Sequence, residues 1–148
     1  GIGTMQLYIH HSREDADYFS LREQYKREVK QMALFDLIAN NTDRKAGHCL
    51  RGEDGHIWGI DHGLTFHAHP KLRTVIWDFS GEPMPQELLR DLRRILKELE
   101  RQRGLAPELA VLLLPEEMAA LRHRLQYVLS HPEFPCLQTR RGVPWPFH

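Results

Sequence analysis

Two aspartates, Asp43 and Asp61, lie in the run NNTDRKAGHCLRGEDGHIWGIDHGLTF (residues 40–66), with Lys45 and His48 between them. Transfer of a phosphoryl group to a hydroxyl is catalysed mainly by positioning the reactants and neutralising phosphate charge. Such a site needs a carboxylate to orient and deprotonate the hydroxyl, a cation near the transferring group, and a carboxylate for a metal bound to the nucleotide phosphates. Asp43 suits the first role, Lys45 the second and Asp61 the third.

These side chains must be held by the elements around them. Ser20 with Glu23 three residues later reads as a capping box, and the spacing predicts a helix over residues 20–40. Its early turns are polar and its late ones almost wholly apolar, so it runs from the surface into the core and delivers Asp43 into a loop. Asn40 and Asn41 terminate it. Residues 48–50 and 56–60 read as strands of a hairpin turned at Asp54-Gly55, which brings Asp61 back beside the loop that carries Asp43. Gly63 is expected to let the backbone turn sharply after Asp61.

The flanking segments are simpler. Residues 4–9 read as a strand or extended linker. The region 85–130 contains two amphipathic helices, one closed by Gly104 and one opened by Pro115, with a short helix between them. The tail, 131–148, has four prolines and three aromatics, which rule out a regular helix and point to packing on the body. The expected fold class is mainly α with a small β-hairpin (α+β), in a single domain spanning 1–148.

Composition narrows the partners. The chain has 148 residues, 41% hydrophobic and 27% charged, ordinary for a globular domain. Twenty basic residues balance twenty acidic ones, so no bulk field draws it to nucleic acid or an anionic membrane. The same neutrality, with no amphipathic basic helix evident, weighs against a membrane substrate. Cys49 and Cys136 have no metal-ligand spacing and read as small buried apolar residues. No apolar run is long enough for a membrane span, and a cytoplasmic location is expected.

The order of the motifs is more informative than any one of them. Asp43 opens a D-x-x-x-x-N-like loop in which His48 stands where kinases carry a metal-binding asparagine, and Ile60-Asp61-His62-Gly63 is a form of D-F-G with histidine for phenylalanine. NNTDRKAGH followed by GIDHGLTFHAHP resembles the catalytic and metal loops of the phosphatidylinositol 3- and 4-kinase superfamily, particularly the type II phosphatidylinositol 4-kinases. It is also similar to the loops of HipA-type bacterial kinases. The run PKLRTVIWDFSGEPMP through VPWPF resembles an uncharacterised bacterial phosphatidylinositol-kinase-like family over nearly the whole chain.

The resemblance implies the C-terminal lobe of a protein-kinase-like fold, ATP with magnesium or manganese as cofactors, and a hydroxyl-bearing lipid, protein or small molecule as acceptor. Asp43 and Lys45 take the catalytic positions, and Asp61 and His48 the metal positions. Imidazole favours softer ions than magnesium, so manganese suits His48 better. Residues 1–9 correspond to the hinge between lobes, and the smaller β-rich lobe with its nucleotide-binding lysine is the missing partner. Two alternatives stand beside this one. A non-catalytic interaction module would retain the loops without turnover, and a metal-dependent hydrolase would use His67 and His69 with Asp61 and His48.

Overall fold

The computed structural model describes residues 6–11, 17–137 and 140–146. Its elements, in order, are α1 (Tyr18–Leu21), α2 (Lys26–Ala39), β1 (Cys49–Arg51), β2 (Ile57–Gly59), α3 (Gln86–Glu100), α4 (Leu105–Leu112) and α5 (Pro115–Ser130). The architecture is mainly helical with one two-stranded antiparallel sheet, as the hydrophobic periodicity predicts.

The helix expected over residues 20–40 is divided. Asp17, not Ser20, is the N-cap: its side chain accepts from the Ser20 N–H, and Ser20 answers from the third helical position. The chain thus turns helical early enough to bury Tyr18 and Leu21 against β1. It loosens through residues 22–25 and restarts as α2. There Val29, Ala33, Leu34, Asp36 and Ala39 form the buried face. Asn40 ends α2 in the left-handed region at φ 53°, the conformation in which asparagine closes helices without a glycine.

The hairpin pairs Cys49 with Gly59, Leu50 with Trp58 and Arg51 with Ile57. The Asp54-Gly55 turn behaves as expected: Gly55 has φ 79°, and the Asp54 carboxylate accepts the His56 N–H at 2.9 Å. The extended segment expected over 4–9 falls partly outside the described residues. Within them, residues 6–10 have no strand, and His11 bridges Gly52.

The longer helices pack on one another, while the hairpin is contacted by α1. α3 and α5 pack along each other, α2 lies against α5, and α4 closes the end between α3 and α5. Leu89, Leu92, Leu99, Leu121, Leu125 and Val128 fill the seam. The tail packs on this body through Phe134, buried 5.8 Å from Phe79, and through the Thr74 N–H, which donates to the Gly142 carbonyl at 3.0 Å. Cys49 is buried, but Cys136 is exposed, because residues 135–137 run along the rim of a surface groove.

Candidate functional site

The site begins with a charge inside α2. Asp36 is fully buried, a position that a lone carboxylate does not tolerate in ionised form. Its partner is Arg44, also 0% exposed. The guanidinium donates to Asp36 through Nε at 3.1 Å and through Nη2 at 2.9 Å. Thr74 Oγ1 and Asn41 Nδ2 supply further donors to the same carboxylate. The buried pair is therefore fully hydrogen-bonded, the condition under which such pairs persist.

Arg44 also reaches the hairpin. Its Nη1 donates to the Ile60 carbonyl at 2.9 Å and the His48 carbonyl at 3.3 Å, and its Nη2 lies 2.7 Å from His62 Nε2. A guanidinium only donates, so His62 Nε2 accepts and the imidazole is neutral. Burial, and then the Arg44 charge, hold His62 below the usual histidine range. One buried side chain thus connects α2, the Asp43 loop and the Asp61 loop. The two loops are also stitched directly by the Thr42 N–H to the Leu64 carbonyl at 3.0 Å and the Phe66 N–H to the Ala39 carbonyl at 2.6 Å.

The four residues singled out from sequence fall into two pairs. Lys45 Nζ lies 3.6 Å from Asp43 Oδ2, with both side chains partly exposed, and the Asp43 N–H donates to Asn41 Oδ1 at 3.1 Å. At the other end of the hairpin strands, His48, just before β1, places Nε2 3.4 Å from Oδ2 of Asp61, just after β2. His48 Nδ1 accepts the Lys45 N–H at 3.4 Å, which leaves the proton on Nε2, directed at Asp61. Asp61 is 60% exposed and itself occupies the left-handed region at φ 55°. Gly63 lies in a turn, as expected, but the left-handed conformation is taken two residues earlier, by an aspartate, which adopts it more readily than most residues.

The histidine-rich hydrolase arrangement does not assemble. Among the described residues no three His, Cys, Asp or Glu side chains gather into a metal-holding group. His67 Nδ1 accepts the His69 N–H, and His67 Nε2 meets Lys71 Nζ at 3.0 Å, a cation where a metal would have to sit. Asp61 and His48 likewise form a pair rather than a complete ligand set.

Sequence reasoning passed over Asp36 and undervalued Asn40. A single aspartate inside Ala33-Leu34-Phe35 and Leu37-Ile38 was the available signal, since an ionised group on a buried face demands a partner. Asn40 does more than end α2: its amide donates to the His67 and His69 carbonyls, and its carbonyl accepts the Lys71 N–H. The segment following the second loop is thereby fixed to the first.

The family model for phosphatidylinositol 3- and 4-kinase matches residues 1–129. The chain belongs to the phosphatidylinositol 3- and 4-kinase family. It is 41% identical over 118 residues to protein Rv2133c of Mycobacterium tuberculosis (strain ATCC 25618 / H37Rv), an alignment covering 80% of this chain and 42% of that relative. The chain thus spans less than half of that relative's length. No solved structure gives a significant match. Among the described residues, no helix is long and apolar enough to cross a membrane.

Proposed function

We propose that the chain is the catalytic lobe of an ATP- and metal-dependent kinase that phosphorylates a hydroxyl acceptor. The observation that carries this reading is the joint anchoring of the Asp43–Lys45 and Asp61–His48 pairs on Arg44, in a chain of this family. The greater length of the relative supports a parent polypeptide in which a second lobe completes the nucleotide cleft.

Asp43 accepts a hydrogen bond from the acceptor hydroxyl and takes its proton as the oxygen attacks the terminal phosphorus. The bond from that phosphorus to the bridging oxygen breaks, and ADP leaves with the electron pair. Lys45 holds the terminal phosphoryl oxygens, and its charge offsets the negative charge of Asp43 when nothing is bound. Asp61 fits a magnesium site, because it is an exposed carboxylate and that ion commonly takes one or two protein carboxylates together with water and phosphate oxygens. A bound divalent ion would neutralise phosphate charge there. His48 orients Asp61 through Nε2–H and would become a second ligand through Nε2 only as the other tautomer, with its proton on Nδ1; an imidazole ligand would suit manganese better than magnesium.

In the parent polypeptide, Asp43→Ala is expected to abolish ATP-dependent phosphoryl transfer while retaining the metal-nucleotide rise in Tm, and Asp61→Asn to lose both. Undiminished turnover in Asp43→Ala would remove Asp43 from the mechanism. The engaged state of both His48 ring nitrogens favours a second reading, a non-catalytic module. Absence of a nucleotide shift with either magnesium or manganese would select it.

A further inference from the structure

We propose that the groove between residues 70–73 and the tail seats an extended acidic peptide segment. On the kinase reading above, a side-chain hydroxyl of that segment is the acceptor. The groove has a volume of about 560 Å³, and Lys71, Arg73, Trp77, Tyr127, Leu137 and Arg141 are among its lining residues. Three of these are cations, and no Asp or Glu lines it. The stretches that supply three of its walls, residues 62–77, 118–132 and 134–148, contain no acidic residue at all. The charge is therefore unbalanced locally, although the chain as a whole is neutral. Lys71, Arg73 and Arg141 are exposed, and among the described residues no carboxylate pairs with any of them.

The groove opens beside the Asp43 loop. Residues 73–75 run parallel to that loop: the Arg73 N–H donates to the Asn41 carbonyl at 2.9 Å, the Arg44 N–H to the Arg73 carbonyl at 3.1 Å, and the Val75 N–H to the Arg44 carbonyl at 3.1 Å. Arg44 and Thr74, bridged across this pairing, both send their side chains inward to Asp36. Successive side chains of paired strands point to opposite sides, so Arg73 projects outward, on the side where Asp43 and Lys45 are partly exposed. The opposite wall belongs to the tail, which lies beyond the residues 1–129 that match the family model. It is pinned by Trp77, whose Nε1 donates to the Thr74 carbonyl at 2.7 Å and the Gly142 carbonyl at 3.3 Å, and by Ser80 Oγ, which donates to the Pro135 carbonyl at 3.3 Å.

Charge complementarity sets the sign of the occupant, and the lining sets its form. Lys71 and Arg73 stand two positions apart in a stretch without helix, the period at which alternate side chains of a bound strand face one side. Among the described residues no hydrogen bond engages the backbone of Leu72, Cys136 or Leu137, so both walls keep main-chain donors and acceptors for an incoming chain. Trp77, Tyr127 and Leu137 add apolar surface for its side chains. A compact anion would meet the cations and leave the main-chain groups and the apolar lining unused. A bilayer surface would not enter a concave groove.

The test is fluorescence anisotropy of the chain with a labelled peptide that alternates glutamate with valine around a central serine, against the same peptide with glutamine for glutamate. The expected result is saturable binding of the acidic peptide, tighter than that of the glutamine form and weakened by salt. R73E/R141E should lower the affinity by about ten-fold or more, since each exposed ion pair contributes up to about five-fold and reversal adds repulsion. This variant should instead prefer the peptide with lysine for glutamate. Y127A should weaken binding several-fold and leave its salt dependence in place. All three positions are exposed, so an unchanged Tm verifies the fold of each variant. Equal binding of the acidic and glutamine peptides, or undiminished binding by R73E/R141E, overturns the proposal. So does displacement of the peptide by inorganic phosphate at the peptide's own concentration, since a compact anion then suffices, and so does binding of phosphatidylglycerol vesicles in place of the peptide. Transfer is read separately, in the parent polypeptide, where R73E/R141E is expected to raise KM for the acidic peptide far more than it lowers kcat. A peptide that binds and is never phosphorylated upholds the groove and counts against the kinase reading, whereas transfer to the peptide with an unchanged KM in R73E/R141E overturns the groove.

Discussion

The polar centre beneath the loops of residues 40–66 and the apolar seam between α3 and α5 are both buried, yet they are held by different forces. The helical layer is an apolar seam in which Leu89, Leu99, Leu125 and Val128 are at most 2% exposed. The loops converge on a polar centre, where Asp36, Asn40, Asn41 and Arg44 are buried to the same degree. Apolar packing is non-directional and tolerates exchange of similar side chains. A network of charge-assisted hydrogen bonds fixes direction as well as distance, and it fails when one member is lost. The loops that carry the proposed site residues Asp43 and Asp61 are thus mounted on the second kind of support.

The largest effect should come from breaking the polar centre. Asp36→Ala leaves Arg44 buried without its counter-charge and is expected to lower stability by about 3–5 kcal/mol, measured by urea denaturation. It should also release the Asp43 and Asp61 loops, and amide hydrogen exchange at residues 41–64 would report that. A loss below about 1 kcal/mol, typical of exposed pairs, would show that the centre is hydrated rather than dry.

Leu125→Ala in the apolar seam should cost a comparable but smaller amount, about 2–4 kcal/mol. The distinguishing measurement is hydrogen exchange below the global unfolding limit: protection of the Asp43 and Asp61 loops should persist in this variant and fall in Asp36→Ala. Equal loosening of the loops by both substitutions would erase the distinction between the two regions.

The smallest effect concerns acid. His62 is neutral in the fold, and its pKa is lowered by burial and then by Arg44. Above the unfolded histidine value of about 6.5 the group adds no pH dependence. As pH falls from there through its lower folded pKa, the unfolded state binds the proton first and stability declines. His62→Gln keeps an acceptor for Arg44 but does not titrate in this range, so its stability should fall less between pH 6.5 and pH 5, by denaturation at fixed salt. Identical pH profiles for the two proteins would remove His62 from the acid response. Cys49 takes no part in this range, since burial pushes its thiol up to about 12.

Much of this was legible in the chain itself. Period-3.6 patterning located α3 and α5, and Asp54-Gly55 located the hairpin turn, because helices and tight turns are governed by residues a few positions apart. The same locality brought Asp43 together with Lys45. What the sequence could not supply was the start of the first helix, where Asp17 capped a turn three residues before the expected one to bury Tyr18.

The sequence by itself determined which groups can do chemistry and the local elements that carry them. Only the tertiary structure decided that Asp36 meets Arg44 and Arg44 meets the carbonyls of His48 and Ile60, and that Asp61 rather than Gly63 takes the left-handed turn. Those contacts join residues up to sixteen positions apart, from Arg44 to Ile60. They arise because a buried charge must find its partners wherever the packed chain places them, a constraint that no local pattern encodes.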